Sequence, residues 1–174
     1  MAIKLLLVCL GNICRSPTAH AVFRQMAAAD NFQCEVESAG TSASHKGAAP
    51  DPRSVKTASD FNFKGIQSRP VQTTDFEYYD LILAMDLENL AALKRRCPAP
   101  LQHKLQLLMS YHPDFARQQE VPDPYYGGIR GFELVLQMIQ TSCEHLLQAL
   151  QQVFANTSSA MAALAERFGN VWLV

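Results

Sequence analysis

The chain has 174 residues, 48% hydrophobic and 18% charged, with a net charge of −1. That length supports one domain with its own core, and the charge gives no bulk attraction to nucleic acid or to an anionic membrane. No apolar run approaches the ~20 residues of a membrane span, and Leu5-Leu6-Leu7-Val8 after Lys4 is too short for the centre of a secretory signal.

Ile3 to Val8 is continuously apolar, which predicts a strand buried on both faces. Pro17 to Ala29 predicts a helix, because Ala19, Val22, Phe23, Met26 and Ala27 recur at helical spacing and Pro17 suits a first turn. Cys34 to Ala39 reads as a second strand, Gly40 to Arg53 as a loop, and Ser54 to Asp60 as a short helix. Leu81 to Met85 is a third strand. Asp86 caps the helix that follows, and Lys94-Arg95-Arg96 closes it with charge matched to the helix dipole.

Leu105 to Met109 is a fourth strand candidate, and Ser110 to Gly128 a long polar loop. Arg130 to Phe154 carries one apolar stripe, through Phe132, Val135, Leu136, Ile139, Cys143 and Leu146. "ANTSS" is expected to break that helix, with another from Ala160 to Phe168 stopped by Gly169. The apolar end, Val171-Trp172-Leu173-Val174, is expected to pack on its own core, with a weak homodimer as the other use for it. Strands alternating with helices imply a parallel α/β sheet, and ligands in such sheets bind at the carboxyl ends of the strands.

The five cysteines, at positions 9, 14, 34, 97 and 143, form no C-x-x-C pair and sit in no histidine cluster with zinc spacing. A reduced, cytoplasmic setting is expected, with no metal. Cys34, Cys97 and Cys143 read as small buried apolar residues.

The chemistry lies in the turn after the first strand, "VCLGNICRSPTAH", residues 8–20. A helix N-terminus offers unpaired N–H groups and positive potential. Gly11 and Asn12 permit the backbone geometry that curls amides around a tetrahedral anion. Arg15 adds a planar fork for two phosphate oxygens. Cys9 stands at the base of this cup, where the field that attracts phosphate also favours a thiolate. A thiolate facing a phosphoryl group is a nucleophile in position. Of the five cysteines, Cys9 alone has an arginine six residues on, followed by a serine. An ATP-type phosphate loop is excluded, since G-x4-G-K-[ST] is absent.

"CLGNICRSP" resembles the phosphate loop of the low-molecular-weight protein tyrosine phosphatases, and "DPYYGG" from Asp123 to Gly128 resembles that family's general-acid loop. "SAGTS", "PDPR" and "ILAMD" are similar to further blocks of the family, in the same order. The resemblance covers about residues 3–154. It implies a three-layer α/β/α fold of the phosphotyrosine phosphatase I type: a four-stranded parallel sheet flanked by helices. To this the chain adds an extra C-terminal helix. The phosphatase domain would span residues 1–154, and residues 155–174 would be a helical extension packed on it.

The resemblance also implies roles. Cys9 would form a phosphocysteine, Arg15 would bind the phosphoryl oxygens, Asn12 would hold the loop's shape and Ser16 would bond the Cys9 sulfur. Leu10, Gly11, Ile13 and Cys14 would complete the substrate-binding loop, supported by Ser38. No cofactor is implied. The partners implied are tyrosine-phosphorylated proteins, with inorganic phosphate as product, and neither nucleic acid nor membrane.

A phenolate leaves more readily when protonated, so an acid is required, and residues 9–17 hold no carboxyl. Asp51-Pro52 and Asp123-Pro124 both qualify by type and spacing. The resemblance selects Asp123, leaving Asp51 as a turn or helix-start residue, and puts Tyr125 and Tyr126 on the cleft wall. Cys14, beside Cys9 in the loop, is expected to pair with it on oxidation.

Two departures stand out. Many members of the family carry an aromatic residue where this chain has Ser44, so one cleft wall is expected to be missing. The supporting histidine of the family is absent around Gln67-Ser68-Arg69-Pro70. Arsenate reduction on the same scaffold is disfavoured because no further cysteine lies in "LILAMD" to relay a disulfide. Phosphoarginine hydrolysis is disfavoured by the apolar Ile13, and a silent phosphoprotein-binding module by the intact Cys9, Arg15 and Asp123.

Overall fold

The structure, a computed structural model, describes residues 2–168, with side chains described over residues 2–157. β1 (Ile3–Cys9) pairs on one side with β2 (Cys34–Gly40) and on the other with β3 (Leu81–Ala84), which pairs in turn with β4 (Leu105–Leu107). All pairs are parallel and the order is β2-β1-β3-β4. The helices are α1 (Arg15–Ala29), α2 (Pro52–Thr57), α3 (Asp75–Tyr78), α4 (Leu87–Arg96) and α5 (Ile129–Phe168).

Successive residues of a strand face opposite sides of a sheet. Leu5, Leu7 and Cys9 of β1 therefore join Val22 and Phe23 of α1 and Ile139 and Leu146 of α5 in one core. Leu6 and Val8 join Phe76 of α3 and Leu93 of α4 in the other. The expected three-layer α/β/α arrangement is the one adopted. No described helix is long and apolar enough to cross a membrane.

Several elements differ from expectation. α2 starts at Pro52 because the Asp51 carboxylate accepts from the Arg53 N–H and caps it. α3 and two short 3-10 segments, Ala99–Lys104 and Leu108–Tyr111, carry no periodicity long enough to be read. The second of these segments cuts β4 short at Leu107. Cys97 and Cys143 are buried as expected, but Cys34 is only half-buried.

The expected break at "ANTSS" does not occur; α5 runs through it to Phe168. None of those residues is glycine or proline, so each costs the helix only a few tenths of a kcal/mol. The Thr157 hydroxyl donates to the Val153 carbonyl one turn back, at 2.8 Å, and so is satisfied within the helix. Residues 155–157 are exposed. The packing expected of the later side chains, the stop at Gly169 and the place of Val171–Val174 lie outside the described residues.

Candidate active site

The turn from β1 into α1 lies at the carboxyl edge of the central strand, beside the point where strand order reverses, the place such sheets offer a ligand. Cys9 ends β1 and is buried. Its sulfur accepts the Asn12 N–H at 3.2 Å and lies 3.1 Å from the Ser16 hydroxyl. Asn12 takes the left-handed backbone conformation, at φ 54°, that turns the loop back over the sulfur. Its Nδ2 donates to Ser16 Oγ at 2.8 Å and its Oδ1 accepts the Arg69 N–H at 3.0 Å. Ser68 Oγ donates to the Gly11 carbonyl at 3.0 Å. The 67–70 segment, where no supporting histidine stands, thus steadies the loop through Ser68 and the Arg69 backbone.

Arg15 opens α1 and is buried. One guanidinium nitrogen donates to Asp86 Oδ2 and to the Val121 carbonyl, the latter at 3.1 Å. The other donates to Asp123 Oδ2 at 3.1 Å. Burial by itself would lower the pKa of this guanidinium. Cys9, Asp86 and Asp123 outweigh that and raise it above its ordinary value. Asp86 was expected only as a cap, which it also is, through Asn89 N–H. Its second carboxylate oxygen gives it a further place, orienting Arg15. An aspartate two residues past the end of β3, the neighbour of β1, was the available signal for that role. Asp123 folds over its own turn, where Oδ1 accepts the Tyr125 N–H at 3.0 Å.

A thiol cupped by an N–H and a hydroxyl, a forked cation beside it and a half-exposed carboxylate on that cation thus share one cleft. The family model of low molecular weight phosphotyrosine protein phosphatase matches residues 4–156 of this chain. The chain belongs to that family. Among low molecular weight protein-tyrosine-phosphatases, that of Streptomyces coelicolor is 40% identical over 158 residues, covering 87% of this chain and 96% of its own. YfkJ of Bacillus subtilis is 38% identical, with 86% and 97% covered. A crystal structure of the protein tyrosine phosphatase from Entamoeba histolytica with Hepes in its active site is similar at a TM-score of 0.82. It is 38% identical, with 87% of this chain and 98% of that one covered.

The cleft of this low molecular weight phosphatase is a cavity of about 290 Å³. Leu10, Gly11, Ile13, Cys14 and Tyr125 line it with Cys9, Arg15 and Asp123; Tyr126 stands at its mouth, almost fully exposed. The wall expected to be missing at Ser44 is filled by its neighbour. The His45 imidazole faces the Tyr125 ring, centroids 6.4 Å apart, and lies against Gly11 so closely that a Cβ there would meet it at 2.9 Å. Gly11 is thus needed for the approach of this ring, while the left-handed turn falls to Asn12.

Cys14 is buried beside Cys9. Burial first, then the nearby charge of Asp51, push its thiol up to about 12, against a hydrogen bond from Ser54. Asp51 does not reach the cation of the cleft as Asp123 does; it caps α2 and grips Arg53. Ser38, expected to support the loop, instead faces His20 Nδ1 at 3.4 Å. The support from β2 comes next door, where the Ala39 carbonyl accepts from Ser16.

Proposed function

We propose that this phosphatase hydrolyses phosphotyrosine in proteins through a phosphocysteine intermediate. The observation that carries the reading is the meeting of Cys9, Arg15 and Asp123 at one cleft. Cys9 thiolate attacks phosphorus; the bond from phosphorus to the tyrosine oxygen breaks, and Asp123 gives that oxygen its proton. Arg15 and the loop amides hold the three remaining oxygens. Water then attacks the phosphocysteine, Asp123 takes its proton, and inorganic phosphate leaves as sulfur recovers its electron pair. Ser16 and the Asn12 N–H, both on the sulfur, ease that departure. The apolar flank at Ile13 and the Tyr125 and His45 rings suit a phenyl group. Arsenate reduction fits less well, because Cys97 and Cys143 are both buried and neither lines the cleft.

A panel of phosphotyrosine, phosphoserine and phosphoarginine peptides, with arsenate plus a thiol donor, tests the reading. Turnover is expected on phosphotyrosine, and Cys9→Ser abolishes it while phosphate still binds; retained turnover would refute the nucleophile. Cys9 and Cys14 are proposed as a reversible redox pair in the same loop. After mild peroxide a peptide map is expected to contain a Cys9–Cys14 link that a reducing agent removes. A map with Cys14 unlinked ends that part of the proposal.

A further inference from the structure

Asp51 was the rival candidate for the acid, and the structure gives it different work. Its carboxylate holds Arg53 in a two-point grip, Nε to Oδ1 at 3.0 Å and Nη2 to Oδ2 at 2.8 Å. The remaining nitrogen, Nη1, donates to the Tyr125 carbonyl at 3.0 Å. The guanidinium also lies over the rings of Phe132, at 4.8 Å, and Tyr125, at 5.3 Å. Tyr125 in turn holds Asp123 through its own N–H. Asp51 is itself tied to the phosphate loop, its N–H donating to the Ile13 carbonyl at 2.7 Å. A continuous chain therefore runs from the phosphate loop through Asp51, Arg53 and Tyr125 to Asp123.

Apart from local turns, the described hydrogen bonds of residues 122–128 to the rest of the molecule are two, and both come from arginines. Arg15 holds the Asp123 carboxylate, and Arg53 holds the Tyr125 carbonyl. On the proposed chemistry an arriving phosphoryl group takes up the Arg15 fork. Arg53 stands outside the phosphate cup and keeps its hold.

We propose that Arg53 is a positioning residue for the acid: it pins the Tyr125 carbonyl and ring so that Asp123 stays over the leaving oxygen once substrate has claimed Arg15. This rests on the phosphatase reading above. Arg53 is half-exposed but its partner Asp51 is buried, so Arg53→Met leaves that carboxylate without its cation, and the thermal midpoint of each variant is measured beside its kinetics.

The test is kcat/KM for phenyl phosphate, whose leaving group needs a proton, against 2,4-dinitrophenyl phosphate, whose leaving group does not. Arg53→Met is expected to lower the first about 10-fold and the second less than about 2-fold, a fraction of the 10²–10⁴ that acid catalysis supplies. Arg53→Lys, which keeps a donor for Tyr125, should recover part of the loss. In the Asp123→Asn background Arg53→Met should add nothing, since no acid remains to be placed. Equal losses on both esters, full additivity with Asp123→Asn, or no loss on phenyl phosphate would each overturn the inference. Should wild-type protein turn over neither ester, the phosphatase reading itself falls and takes this role with it.

Discussion

His20 sits on α1 with its imidazole buried against Ser38. Burial first, then the positive Arg24, lower its pKa to about 4, against a smaller opposite pull from Glu37. The folded state thus holds His20 neutral, whereas the unfolded chain protonates it near 6.5. The unfolded state binds the extra proton, so stability falls as pH drops from about 6.5 to about 4 and no further below that. A shift of this size corresponds to about 3 kcal/mol across the window. Urea unfolding at pH 7 and pH 4.5 should show wild type losing clearly more than His20→Gln. Parallel losses would mean that His20 does not govern this limb. Burial and Asp51 act in a similar way on Cys14 and keep it a thiol. Neither effect could be read from residue type, because each depends on what the fold packs around the group.

At the scale of elements, β1 and α1 were legible because each signal lies within a short window, an apolar run and then a helical stripe. α5 was legible over its inner part for the same reason, and a helix was expected again from Ala160 to Phe168; their continuity through "ANTSS" was missed because polar residues were given the force of a helix stop. Helix stops need glycine or proline, or a cap that outcompetes the next turn. The two regions of α5 should respond differently to truncation. Leu146 is fully buried in the core under β1, so Leu146→Ala should cost about 2–5 kcal/mol in urea unfolding. Val153 is 59% exposed, and Val153→Ala should stay within about 0.5 kcal/mol. Similar costs at both positions would mean that the outer turns of α5 are packed after all.

For the molecule as a whole, the site gathers pieces from far apart in the chain. Arg15 meets Asp86 across 71 positions and Asp123 across 108, while Arg53 reaches Tyr125 across 72. The sequence by itself determined the parallel α/β class and the turn that carries Cys9 from the end of β1 to Arg15 at the start of α1, since those depend on contiguous residues and on periodicity. It narrowed the acid to two aspartates and went no further from spacing. Only the tertiary structure put Asp123 on Arg15 and turned Asp51 toward Arg53. It also made Asp86 the second carboxylate of Arg15 and stood His45 where Ser44 had left a gap. The physical reason is range: backbone propensity and capping act within a few residues, whereas a salt bridge or a ring contact forms wherever the folded sheet brings two side chains within a few ångströms.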